Sequence, residues 1–220
     1  MSLRIVLLAE GTRETGNVAL SPRPGDSLDA IRLGPAHVLV RRCLVAAGLP
    51  EGAIRFVQPL RTGTGRAARG SDLLDRATLR RLLAWPDPTA RPALAVIMID
   101  ADGEKHRRTD VLEWTEDAML PRVVSVAVQE FEAWLLADEV AVSRALALPF
   151  PTQPAPEGLR PREAKALLAN AIGAAGRDPV EARRTIAEVL DLGGVSARCP
   201  AFDLFRKDLG LASGRLFQRA

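Results

Sequence analysis

Val96-Ile97-Met98-Ile99-Asp100-Ala101-Asp102-Gly103 decides the reading of this chain. The apolar part, which extends back through Ala93, is strand-sized, partly β-branched and uninterrupted by polar residues. A strand of that kind is buried on both faces, as in a parallel sheet covered by helices. It ends abruptly in an Asp-x-Asp pair and a glycine. Two carboxylates so placed repel each other unless a cation or a proton neutralises one of them. A divalent ion is the common solution, and Gly103 lets the backbone turn away. The plain alternative is a solvated acidic turn.

Three other short apolar runs read as buried strands, roughly Leu3–Ala9, Ile54–Gln58 and Val123–Val128. Helical patterns separate them. Pro35 opens one that runs to about Ala47, with Gly48 as its stop. Ser71 is the expected cap of a second, which carries Leu79, Leu82 and Leu83 and ends at Pro86. Strands alternating with helices predict an α/β fold with a mainly parallel sheet of roughly four strands. After Val128 the pattern turns helical, with Phe131, Trp134 and Leu135 at i, i+3, i+4 spacing. The proline-rich stretch 149–161 reads as a loop. Beyond it, Pro161–Ala175, Pro179–Leu190 and a last segment anchored by Phe202 and Phe205 form a helical extension. The expected organisation is therefore an α/β core over 1–148 and an extension over 149–220 packed on it.

Composition limits what the chain does. With 220 residues, 47% of them hydrophobic and 26% charged, it has an ordinary globular make-up. No apolar run approaches the ~20 residues of a membrane span. The N-terminal run is shorter than a signal h-region and meets an acid at once, so a cytoplasmic chain without membrane attachment is expected. Two cysteines make no disulfide framework, and two distant histidines make no His-rich metal site. Any metal is then held by carboxylates, which favour magnesium or manganese. The net charge of +3 is compatible with nucleic acid without being diagnostic.

The other acids sit where ligands bind in such folds, beyond the carboxyl ends of strands. Leu8-Ala9-Glu10-Gly11-Thr12-Arg13-Glu14 runs from the first strand into an acid, a glycine and a second acid. Gln129-Glu130-Phe131-Glu132-Ala133-Trp134 follows the fourth strand. Glu130 or Glu132 could reach a second metal, and Glu132 as a surface residue is the plain alternative. Two basic clusters complete the picture: Arg61, Arg66 and Arg69 in a glycine-rich stretch, and Lys105, Arg107 and Arg108 after the acidic pair. The first is no P-loop, because Gly70-Ser71 lacks the lysine, and no dinucleotide turn, because it follows the second strand. Both clusters suit phosphate contacts or simply a solvated surface.

The order of these motifs resembles the Toprim domain. Glu10-Gly11-x-x-Glu14 looks like the Toprim domains of OLD-type nucleases. The Glu130-Phe131-Glu132-Ala133-Trp134-Leu135-Leu136 and Cys199-Pro200-Ala201-Phe202 segments look like an uncharacterised bacterial Toprim-like family. The resemblance covers most of the chain and implies metal-dependent phosphodiester chemistry on nucleic acid. It makes Glu10 a metal ligand or general acid/base, Asp100 and Asp102 a metal-binding pair, and Glu14 and Glu132 accessory acids. The candidates for a catalytic lysine are Lys105 and Lys165. The chain has no tyrosine, so it cannot supply a phosphotyrosine nucleophile as topoisomerases do. Hydrolysis by activated water is the remaining simple reaction. It has no ATPase motif, so ATP-driven action needs a partner ATPase. Two alternatives stay open: a nucleotide-sugar glycosyltransferase using the Asp-x-Asp pair, and a non-catalytic interaction subunit.

Overall fold

The computed structural model describes residues 2–16, 23–28, 33–68, 70–128 and 130–218. Its centre is a four-stranded sheet in the order β2-β1-β3-β4. The strands are β1 (Leu3–Ala9), β2 (Ile54–Val57), β3 (Leu94–Asp100) and β4 (Arg122–Ala127). All three pairings are parallel, with Ala9 opposite Met98 and Asp100 opposite Ala127. The α/β class and parallel sheet expected from the sequence are what the chain adopts.

The pleat divides the strand residues between two layers. Leu3, Ile5, Leu7 and Ala9 join Leu94, Val96 and Met98 on one face. Val6, Leu8, Ala95, Ile97 and Ile99 pack on the other. Mostly apolar runs are needed because both faces are covered, and in β3 the run Leu94–Ile99 is unbroken. The second face carries α4 (Arg76–Leu83) and α5 (Arg107–Trp114). Before α4 comes the short α3 (Gly70–Leu73). Ser71 lies inside it, and Asp75 caps α4 by accepting the Thr78 N–H at 2.8 Å. The expected Ser71 cap is corrected: the aspartate four residues on opens the helix that carries Leu79, Leu82 and Leu83. 

The first face carries the larger layer. It is built from α2 (Pro35–Ala46), α6 (Glu132–Leu136), α7 (Glu139–Leu146), α8 (Glu163–Ala174), α9 (Pro179–Val189), α10 (Leu192–Arg198) and α11 (Pro200–Gln218). One continuous apolar cluster runs from Leu3 through Trp134, Ile172 and Ile186 to Leu209. The C-terminal helices thus share a core with the sheet. Trp134 is its hub. Its ring stacks on Phe205 at 5.8 Å and 10°, and its indole N–H donates to Glu157 at 2.9 Å. Glu157 lies in a 3-10 turn, Pro156–Gly158, so the proline-rich stretch is pinned to the core.

The site follows from this topology. From β1 the chain moves to β2 on one side, and from β3 to β4 on the other. The crevice between the carboxyl ends of β1 and β3 is therefore the switch point, where ligands bind in open α/β sheets.

Candidate acidic site at the switch point

Glu10 follows β1 directly and is half-buried. Its Oε2 accepts the backbone N–H of Asp100 at 2.8 Å, across the gap between the two strand ends. The Glu10 carbonyl accepts the N–H of Gly70 at 2.8 Å. A Cβ at Gly70 would stand 2.8 Å from Glu10 Cγ. Glycine there leaves room for Glu10 to reach Asp100.

Asp100, 6% exposed, points into the larger layer. Its Oδ1 accepts the Phe131 N–H at 2.9 Å and its Oδ2 stands 3.4 Å from Lys165 Nζ. Its pKa is pushed up to about 8. Burial is the largest cause; the Lys165 ammonium opposes it, and Glu10, Glu132 and Glu14 add to it.

Glu130 and Glu132 take different places, both fully buried. Glu130 Oε2 accepts the Lys165 backbone N–H in the first turn of α8 at 2.8 Å, and its Oε1 lies 3.6 Å from Lys165 Nζ. A carboxylate on the N-terminal turn of a helix is favoured by the helix dipole. Glu130 thereby both caps α8 and sets Lys165 in the site. Glu132 pairs with Arg183 of α9 at 3.3 Å, side chains 0% and 1% exposed. Burial that disfavours the Lys165 ammonium is outweighed by Glu132, Asp100, Glu130 and Glu14, so its pKa is raised.

Glu14, in the short α1 (Thr12–Thr15), is also buried, and its Oε2 has no hydrogen-bond partner among the described residues. Burial raises its pKa first, then the neighbouring Glu132. A Cβ at Gly11 would fall 1.8 Å from Glu14 Oε2, so the glycine of the Glu10-Gly11 pair makes space for this carboxylate.

Of the acids the sequence singled out, Glu10, Glu14, Asp100, Glu130 and Glu132 form one coupled group. Asp102 stands apart from it. It is exposed, its carboxylate 3.5 Å from Arg107, in a turn closed by the Glu104 N–H on the Ala101 carbonyl. Positive φ at Asp102 (48°) and Gly103 (86°) explains the Asp-Gly dipeptide. The turn separates the two aspartates, one into the core and one into solvent. Lys105 is exposed in the same segment.

The basic residues are held by partners on the protein itself. Arg66 makes two 2.7 Å bonds to Asp72, and Arg61 donates to the Gly65 carbonyl at 3.1 Å. Arg107 donates to the Asp100 carbonyl at 2.8 Å, and Arg108 pairs with Asp208 at 2.7 Å. Arg69 lies outside the described residues.

Glu10, Glu14, Asp100 and Ser125 share a cavity of about 10 Å³, room for about one water or bare ion. Ser125 Oγ is buried there without a partner, like Glu14 Oε2. Oxygen donors of this kind suit a hard divalent cation. With the side chains as they stand, no three His, Cys, Asp or Glu residues among those described are arranged to hold one. The ammonium of Lys165 supplies the positive charge instead.

Sequence reasoning named every acid but assigned no role to Arg183, the buried partner of Glu132. Its one signal was position: an arginine one place beyond Ala182 and three before Ile186, on the apolar face of α9.

The fold and this acidic crevice describe an α/β protein with a charged site at its switch point. The chain belongs to the family described as Domain of unknown function (DUF4276), whose model matches residues 44–210. The match takes in Asp100, Glu130, Glu132, Lys165 and Arg183 and begins after β1. No curated protein and no solved structure matches the chain. No helix among the described residues is long and apolar enough to cross a membrane.

Proposed function

We propose that this protein is a Toprim-like phosphodiester hydrolase acting on nucleic acid with magnesium or manganese. The observation that carries the reading is the convergence of Glu10, Glu14 and Asp100 on one small cavity at the switch point, beside Lys165. Glu10, Glu14 and Asp100 are the residues that would hold the ion, once their carboxylates turn from their present partners toward it. A divalent cation there supplies Lewis-acid polarisation of phosphate and a more acidic water.

The chain's own groups have defined tasks in this scheme. Lys165, half-exposed, offers a positive charge to a phosphate oxygen at the mouth of the crevice. Asp100, its carboxyl pushed up to about 8, holds a proton at neutral pH. Glu130 keeps Lys165 in place through the first turn of α8. Arg107 reaches the Asp100 carbonyl and the Asp102 carboxylate, at the rim where a nucleic-acid backbone would pass. Use of ATP in the reaction would require a partner ATPase.

The test is a cleavage assay on single- and double-stranded DNA and RNA with manganese, run for the wild type, Asp100→Asn, Glu10→Gln and Lys165→Ala. Activity in the wild type that all three variants lose supports the reading. Equal activity in all four proteins sinks it.

A second reading, a non-catalytic interaction subunit, draws on one observation: Lys165 and Arg183 already neutralise much of the acidic group. On that reading, manganese leaves the melting temperature unchanged. The glycosyltransferase alternative has no such support, because Asp100 and Asp102 face different surroundings.

A further inference from the structure

At the opposite edge of the sheet, before β3 and β4 begin, lies a cleft of about 500 Å³. That volume is in the range of small-molecule sites, unlike the cavity at the switch point. Its walls include Arg80, Arg81, Trp85, Arg91, Asp117 and Met119. Three arginines and one aspartate give it a net charge of +2. Arg80 is paired with Asp117 at 3.0 Å. Among the described residues neither Arg81 nor Arg91 makes a salt bridge.

The rest of the lining is apolar, formed by Leu83, Ala84, Ala118 and the two large side chains. Met119 is 83% exposed, an unbranched thioether left against solvent at the rim. Trp85 is only 8% exposed, and its indole N–H has no acceptor among the described residues. The Arg81 guanidinium rests over Gly63, but among the described residues neither it nor Arg91 has a salt bridge, and Met119 stands bare. A ligand with a flat apolar body and an anionic end accounts for both.

We propose that this cleft binds an aromatic phosphate monoester. A phosphate monoester carries roughly −1.5 to −2 at neutral pH, which matches the net +2 of the walls. Arg81 and Arg91 take its oxygens, since guanidinium groups suit phosphate geometry. The ring system lies against Met119 and the exposed edge of Trp85. The α4 C-terminus at this end contributes roughly half a negative charge, which the arginines outweigh. The site is separate from the acidic crevice and does not rest on the hydrolase reading.

Titration calorimetry on the full chain in EDTA tests the proposal, with phenyl phosphate, benzoate and inorganic phosphate as probes. The proteins are the wild type, Arg81→Gln/Arg91→Gln, Met119→Asp and Asp100→Asn; the first two variants change exposed positions. Phenyl phosphate is expected to bind the wild type and Asp100→Asn equally, and each cleft variant at least about tenfold more weakly. Benzoate and inorganic phosphate are expected to bind more weakly than phenyl phosphate. Absence of saturable phenyl phosphate binding overturns the site. So does unchanged affinity in the Arg81→Gln/Arg91→Gln protein with its fold intact by circular dichroism. Benzoate binding as tightly overturns the phosphate assignment, and inorganic phosphate binding as tightly overturns the role of the apolar wall.

Discussion

The Glu10 carboxylate accepts the backbone N–H of Asp100 at 2.8 Å, joining two strand ends that lie 90 residues apart. That bond closes the switch-point crevice and brings an acid of β1 against the acid of β3. Everything proposed for the site depends on it, and it can be disturbed from a distance. Gly70→Ala places a methyl group 2.8 Å from Glu10 Cγ. The variant is expected to keep its sheet, by circular dichroism, yet lose most of any manganese-induced rise in melting temperature. A full rise in Gly70→Ala would show that Glu10 need not reach Asp100.

Asp100 makes stability depend on pH. Its carboxyl is raised from 3.8 to about 8, so the folded state binds a proton that the unfolded state releases in between. Its contribution is complete below about pH 4 and is lost as pH rises toward 8. Asp100→Asn has no such loss. Urea denaturation in EDTA is expected to show the variant gaining on the wild type from pH 5 to 8, with a plateau beyond. A constant difference over that range would mean Asp100 titrates normally.

Glu132 and Arg183 form a buried pair with one oxygen and one nitrogen left over. Removing one partner leaves a lone buried charge, at a cost of about 3–5 kcal/mol. Arg183→Met is expected to show that loss in urea melts. Glu132→Leu/Arg183→Met should regain most of it, because an apolar pair of similar volume avoids the desolvation penalty. A double variant no better than the single would argue that the pair holds α9 by geometry alone.

The basic loop after β2 gives a further test. Arg66 is engaged by Asp72, so a phosphate has to compete for it. Changing Arg61, Arg66 and Arg69 to Ala is expected to weaken nucleic-acid binding and flatten its salt dependence, by about 0.7–0.9 per lost phosphate contact. Asp72→Asn should act in the other direction and strengthen binding. An unchanged salt slope in the triple variant would make the loop plain solvated surface.

The sheet was legible because buried parallel strands need unbroken apolar runs. Ile5–Ala9 and Leu94–Ile99 stand out for that reason, and each is followed at once by an acid of the site, Glu10 or Asp100. The strand boundaries moved by no more than one residue from the reading, and Asp100 itself proved to be the last residue of β3. What sequence could not separate was Asp100 from Asp102. Two residues apart, they would share one face of a continuing strand, and only the end of β3 and the turn at Asp102-Gly103 send one inward and the other outward. Lys165 and Arg183 were harder still, because each is one charged residue in an otherwise ordinary helix. Their roles come from packing α8 and α9 against α6 and the segment that leads into it, a tertiary relation with no local pattern. The short helices α5, α7 and α10 were missed as well, since seven or eight residues give periodicity little length to register.

The charges of the crevice are distributed unevenly along the chain. All five acids are encoded by residue 132, whereas the cations that face them come at Lys165 and Arg183. During synthesis the acidic half therefore leaves the ribosome with no countercharge of its own. Burying Glu132 at that stage would strand a carboxylate in an apolar layer without its Arg183 partner, so the early strands have reason to stay open. The helices that arrive last neutralise the acids and supply Phe202 and Phe205 to cover Trp134. A nascent chain stopped before residue 165 should consequently be a poor folder and a good chaperone client, although it already holds every strand of the sheet.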